Sequence, residues 1–78
     1  TYSGVYTEYS VVRVTGCTLS NKKNGILSNL ASVVYSATND GVSNDVGIAA
    51  STAGIIGKNG SQPAGTTAES VTSGGEIR

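Results

Sequence analysis

Asp45-Val46-Gly47-Ile48-Ala49-Ala50-Ser51-Thr52-Ala53-Gly54-Ile55-Ile56-Gly57 is the stretch whose reading decides the fold. It is apolar without being bulky, because its isoleucines are separated by Gly, Ala, Ser and Thr, so its backbone can approach a neighbour closely. Ser43 and Asn44 offer an N-cap, and Asp45 puts a negative charge where a helix dipole favours it. Ile48, Ala49, Thr52, Ile55 and Ile56 form a stripe beside a groove of Gly47, Ala50, Ser51 and Gly54. This pattern predicts a close-packing helix from Asn44 to Gly57. Two short strands bent at Ser51-Thr52 are the alternative. Ile48, Gly54, Ile55 and Ile56 become candidates for contact with a partner chain, or secondarily with a membrane.

Upstream, Ile26, Leu27, Leu30, Val33, Val34 and Ala37 recur at helical spacing and predict a helix over 24–38, stopped by Thr38-Asn39-Asp40-Gly41. Before it, Val5 to Thr15 is dense in β-branched and aromatic residues and predicts a central strand. Its apolar phase changes between Val11 and Val12, which implies a bulge near Val11 or burial on both faces. Downstream, Gly57 to Gly65 predicts an exposed loop, Thr66 to Thr72 an edge strand, and Ser73 to Arg78 a tail that frays or pairs at a sheet edge. No internal repeat stands out. The expected fold is α+β: a single domain over 1–78, a two-layer α/β sandwich whose antiparallel sheet carries two helices on one face.

The 78 residues include no His, Trp, Phe or Met, and the five basic and five acidic side chains leave no net charge. That balance argues against nucleic-acid binding, which calls for a basic face. The lack of His removes imidazole as base, ligand or switch. With aliphatic side chains as almost the whole apolar inventory, the core is small for the chain that must be ordered, so a partner chain is expected to complete it. Low charge and abundant Gly, Ser and Thr suit a secreted, extracellular protein. The start at Thr1 without a leader reads as a mature product, and no apolar run is long enough to span a bilayer as a helix.

Cys17 is the only cysteine. It is read either as an inter-chain disulfide or as a buried thiol. Glu8, between Tyr6 and Tyr9, is read as solvated or as a pH-sensitive interface group. A carboxylate buried between chains is harder to ionise, so association through it would be favoured at acid pH. Asn59-Gly60-Ser61 fits the N-glycosylation pattern. Gly54, Gly57 and Gly60 with Lys58 miss the phosphate-loop pattern, because Thr52 and Asn59 stand where Gly and Ser or Thr are required. The oxygen-rich run 39–45 lacks calcium-loop spacing. Thr1 as an N-terminal nucleophile would need an orienting shell, and the nearest charged residues in sequence are Glu8 and Arg13. No catalytic, cofactor or metal residues are assigned, and no enzyme activity is expected.

With Val5 to Thr15 as central strand, Asn24 to Thr38 and Asn44 to Gly57 as paired helices, Thr66 to Thr72 as returning strand and Cys17 unpaired, the chain resembles a subunit of the small secreted two-chain yeast killer toxins, in particular their salt-mediated members. The resemblance implies a precursor cleaved into a heterodimer whose sheet is shared with a second toxin subunit. It also implies antifungal killing at the target plasma membrane, without catalysis.

Overall fold

The computed structural model describes residues 3–78, and Thr1 lies outside them. The chain winds through eight strands with no helix among the described residues: β1 (Ser3–Glu8), β2 (Val11–Thr15), β3 (Asn24–Asn29), β4 (Val33–Ala37), β5 (Asn44–Ser51), β6 (Ile55–Asn59), β7 (Gly65–Thr72) and β8 (Glu76–Ile77). Odd strands form one four-stranded sheet, β1-β3-β5-β7 (sheet A), and even strands the other, β2-β4-β6-β8 (sheet B). Every pairing is parallel. Each coil therefore contributes one strand to each sheet, which is the architecture of a β-solenoid.

This overturns the α/β sandwich and its antiparallel sheet. Both predicted helices are strand-turn-strand units. The 24–38 segment breaks at Leu30 and Ala31 and the 44–57 segment at Thr52 and Ala53, and all four residues have positive φ. Each turn closes with a backbone hydrogen bond, from Ser32 N to Asn29 O at 3.3 Å and from Gly54 N to Ser51 O at 2.9 Å. A two-residue turn inserted into period-2 strands moves the apolar positions to spacings of three and four, which imitates a helical face. The single strand over 5–15 is likewise two strands, with Tyr9 at φ 50° between them. What reads as a bulge at Val11 is the corner that turns Val11 outward and Val12 and Val14 inward. The edge strand expected at Thr66 to Thr72 is present in β7, and part of the expected tail pairs as β8 at the edge of sheet B.

The repeat becomes visible once the ladders are drawn. Ser3, Asn24, Val46 and Thr67 occupy one column, and Val11, Val33, Ile55 and Glu76 another, so a coil is 21 or 22 residues long. Inward columns build the core. Ile26 and Ile48 stack in sheet A, Val34 and Ile56 in sheet B, and all are essentially buried, with Val14 and Ala50 beside them. The third side of each coil runs past Thr18, Asp40 and Pro63, with Thr18 bridged to Asp40. Where an exposed loop was expected over 57–65, Gly57 to Asn59 belong to β6 and Pro63 is buried. It fits because Gly25 lacks a side chain: a Cβ at Gly25 would stand 2.9 Å from Pro63 Cβ.

Two corners carry buried asparagines. Asn39 accepts from Cys17 N at 2.9 Å and donates to Val14 O and to Ser36 Oγ. Asn44 accepts from Lys22 N and donates to Leu19 O and Ala64 O. Each satisfies backbone groups that the strand ladders leave unpaired at a bend. At the opposite corner, Thr7, Ser28 and Ser32 share a buried hydroxyl network, with Thr7 Oγ1 and Ser32 Oγ 2.9 Å apart.

Three outcomes follow in urea unfolding. Ile48→Ala should lower the unfolding free energy by about 2–5 kcal/mol, since it opens a cavity in a stacked column. Asn39→Ala should lower it by about 1–3 kcal/mol by orphaning corner groups. Ala53→Gly should raise it by up to about 1 kcal/mol by relieving a positive-φ alanine.

Candidate binding face on sheet B

Residues that alternate with the core along sheet B form its outer face. The column Val11, Val33 and Ile55 is an aliphatic strip that ends at Glu76. Beside it Arg13 pairs with Tyr35 and Tyr35 with Gly57, and Arg78 continues that column in the next coil, its N–H donating to Ile56 O at 2.9 Å. Thr15, Ala37 and Asn59 form a third column. The second column lines an open depression of about 480 Å³.

Gly57 decides the shape of this depression. A Cβ there would stand 3.3 Å from Tyr35 Cδ1 and 3.5 Å from Cε1, so the phenol lies over the glycine. Tyr35 stays 55 % exposed, which leaves its outer side open. The cations differ in state. Arg78 is held by Glu76 through two contacts of 3.2 Å, Nε to Oε2 and Nη2 to Oε1. That hydrogen bonding and the charge of Glu76 raise the guanidinium pKa above its already high ordinary value. Arg13 has no carboxylate within ion-pair distance among the described residues. Lys58 is paired with Glu69, at inward register positions near the last coil, and offers the face no free charge.

The outer face of sheet A has a second depression, about 510 Å³, lined by Tyr6, Lys23, Asn24 and Leu27. Its phenol already accepts a hydrogen bond from Asn29 Nδ2 at 3.3 Å. Lys23 is its only cation, so it lacks the paired guanidiniums found on sheet B.

The residues singled out from sequence do not come together. Ile48 and Ile56 are 1 % and 0 % exposed and face the core of their own chain, so they present nothing to a partner or membrane. Gly54 is buried at the β5–β6 turn, where a Cβ would strike the Ser28 carbonyl. Of the four, Ile55 alone reaches the outer face, half-buried in the aliphatic strip. Cys17 is exposed and free rather than buried, its Sγ 3.5 Å from Thr15 O. Glu8 stands exposed at the end of β1. Asn59, the glycosylation candidate, is exposed at the end of β6. Among the described residues no group of three or more His, Cys, Asp or Glu is placed to hold a metal ion.

Arg13, Tyr35, Gly57 and Arg78 were missed because they are spaced 22, 22 and 21 residues apart. The signal that exposes the period lies in Asn24-Gly25-Ile26 against Val46-Gly47-Ile48, and in Ala31-Ser32-Val33-Val34 against Ala53-Gly54-Ile55-Ile56. No protein-family model matches the chain, and comparisons with curated proteins and with solved structures find no match either.

Gly57→Val should leave the fold within about 0.5 kcal/mol of wild type, as an outward substitution on a strand, yet move the Tyr35 ring. NMR shifts of the Tyr35 ring protons against an unchanged far-UV circular dichroism spectrum would show this.

Proposed function

We propose that this chain is a non-catalytic structural or adhesion module of an extracellular surface assembly, with the outer face of sheet B as its binding surface. The observation that carries this reading is the column Arg13-Tyr35-Gly57-Arg78. It sets an open aromatic ring between two guanidiniums on a rigid parallel sheet, beside an aliphatic strip. Aromatic and Arg side chains are the groups most used as anchors in recognition, and a sheet holds them in place better than loops do. The low charge and abundance of small polar residues fit a position outside the cell. Neighbours in such an assembly would add strands at the free edges, β1 and β2 on one side, β7 and β8 on the other.

Killing of yeasts through a membrane-acting heterodimer was drawn from a strand-helix-helix-strand order. The chain has no such order among its described residues, so the element order no longer supports that reading, which then rests on chain length, low charge and the single Cys17. The antiparallel sheet expected to be shared with a second subunit is replaced by parallel ladders, and the helix assigned to partner or lipid contact is two strands and a turn.

Retention on a panel of immobilised glycans, peptides and anionic polymers tests the binding role. Wild type should be held by at least one class, the Arg13→Ser/Tyr35→Ser double variant should be held at least about tenfold more weakly, as loss of an anchor predicts, and Tyr6→Ser on the opposite face should match wild type. Retention indifferent to the sheet B variants would refute it.

A further inference from the structure

We infer that the ligand of the sheet B face is an acidic polysaccharide, whose sugar rings lie against Tyr35 while Arg13 takes one of its carboxylates. The inference rests on the reading of that face as the binding surface and adds the chemistry of what binds.

Three features of the face select among polymers. The first is charge density. The outer positions of sheet B carry Arg13 and Arg78 against Glu76, and Glu76 is already engaged with Arg78. A nucleic acid presents a phosphate at every nucleotide and needs a basic stripe to match. A polymer with one carboxylate per ring can be met by a single unpaired guanidinium beside an aromatic platform. Of the two, Arg13 is unpaired among the described residues and neighbours Tyr35 directly in the ladder, while Arg78 with its partner Glu76 lies two coils beyond, roughly 10 Å at the spacing of neighbouring strands.

The second feature is the state of the backbone. β4 and β6 each have a parallel neighbour on both sides, so their main-chain groups are taken up within the sheet. An extended peptide gains its affinity from main-chain hydrogen bonds at a sheet edge. On this face it would find side chains alone.

The third feature is the platform. Tyr35 laid over Gly57 presents a flat apolar surface, open on its outer side, that suits the C–H face of a sugar ring. The ring hydroxyls then meet Thr15 and Asn59, which flank the depression and whose side chains form no hydrogen bonds among the described residues. The Arg13 guanidinium, with no partner among the described residues, takes a carboxylate in a planar fork.

Titration of the full chain by calorimetry with hexagalacturonate, its methyl ester and hexaglutamate separates the possibilities, with circular dichroism confirming that each variant is folded. Hexagalacturonate should bind, and Arg13→Gln, Tyr35→Ala and methyl esterification should each weaken binding about tenfold, the loss of one charge-assisted or stacking contact. Tyr6→Ser should bind as wild type does. Absence of hexagalacturonate binding, or binding that none of these changes weakens, would overturn the assignment. Hexaglutamate binding as tightly, with the same sensitivity to Arg13→Gln and Tyr35→Ala, would overturn the sugar class while leaving the face as the binding surface. If no polymer is held through Arg13 and Tyr35, here or on the immobilised panel, both readings fall together.

Discussion

The parallel hydrogen-bond ladder between successive coils governs everything else in this molecule. In β3 to β6 the backbone groups on each side of the strand are satisfied by the coil before and the coil after. Residues one coil apart must therefore occupy one column. Insertion of a single residue into a strand would invert the side chains beyond it, so changes of length fall at corners. The first corner, at Tyr9-Ser10, is one residue shorter than the corner at Leu30 to Ser32, and the offset between the first two coils accordingly changes from 21 in sheet A to 22 in sheet B.

The ladder also dictates what the corners must do. Where the chain turns, neighbouring coils no longer present complementary backbone groups, and buried N–H and C=O groups need other partners. Asn39 and Asn44 meet that need with a side-chain carbonyl and amide each. Thr7, Ser28 and Ser32 meet it at the remaining corner with hydroxyls. The turns themselves place ordinary residues such as Leu30 and Thr52 at positive φ. That strain, about 1 kcal/mol or more for each such residue, is tolerated because the flanking strands are held in register by both neighbours.

Function, on the proposed reading, is a consequence of the same columns. Arg13, Tyr35 and Arg78 are remote in sequence and adjacent on the surface because each occupies the same place in its coil. The core behind them is small but continuous: Val34 and Ile56 lie under Tyr35 and Gly57 in the alternating pattern of β4 and β6. The rigidity of that backing fixes how the phenol and guanidiniums are presented, and the missing side chain at Gly57 lets the ring lie down on the sheet.

Much of this was written locally in the chain. β-Branched density marked Val5 to Thr15 as extended, Thr66 to Thr72 read as an edge strand, and the bend at Ser51-Thr52 was already the rival reading of the central stretch. Balanced charge and the absence of His likewise need no structure to interpret. For 24–38 and 44–57 the sequence pattern pointed to helices, because small residues and a two-residue turn produce apolar spacings that strands and helices share. Tertiary structure decided for strands: an isolated parallel strand has no backbone partner, and the partners here lie 21 or 22 residues away. The same distance hid the binding face, whose residues become neighbours only when the coils stack.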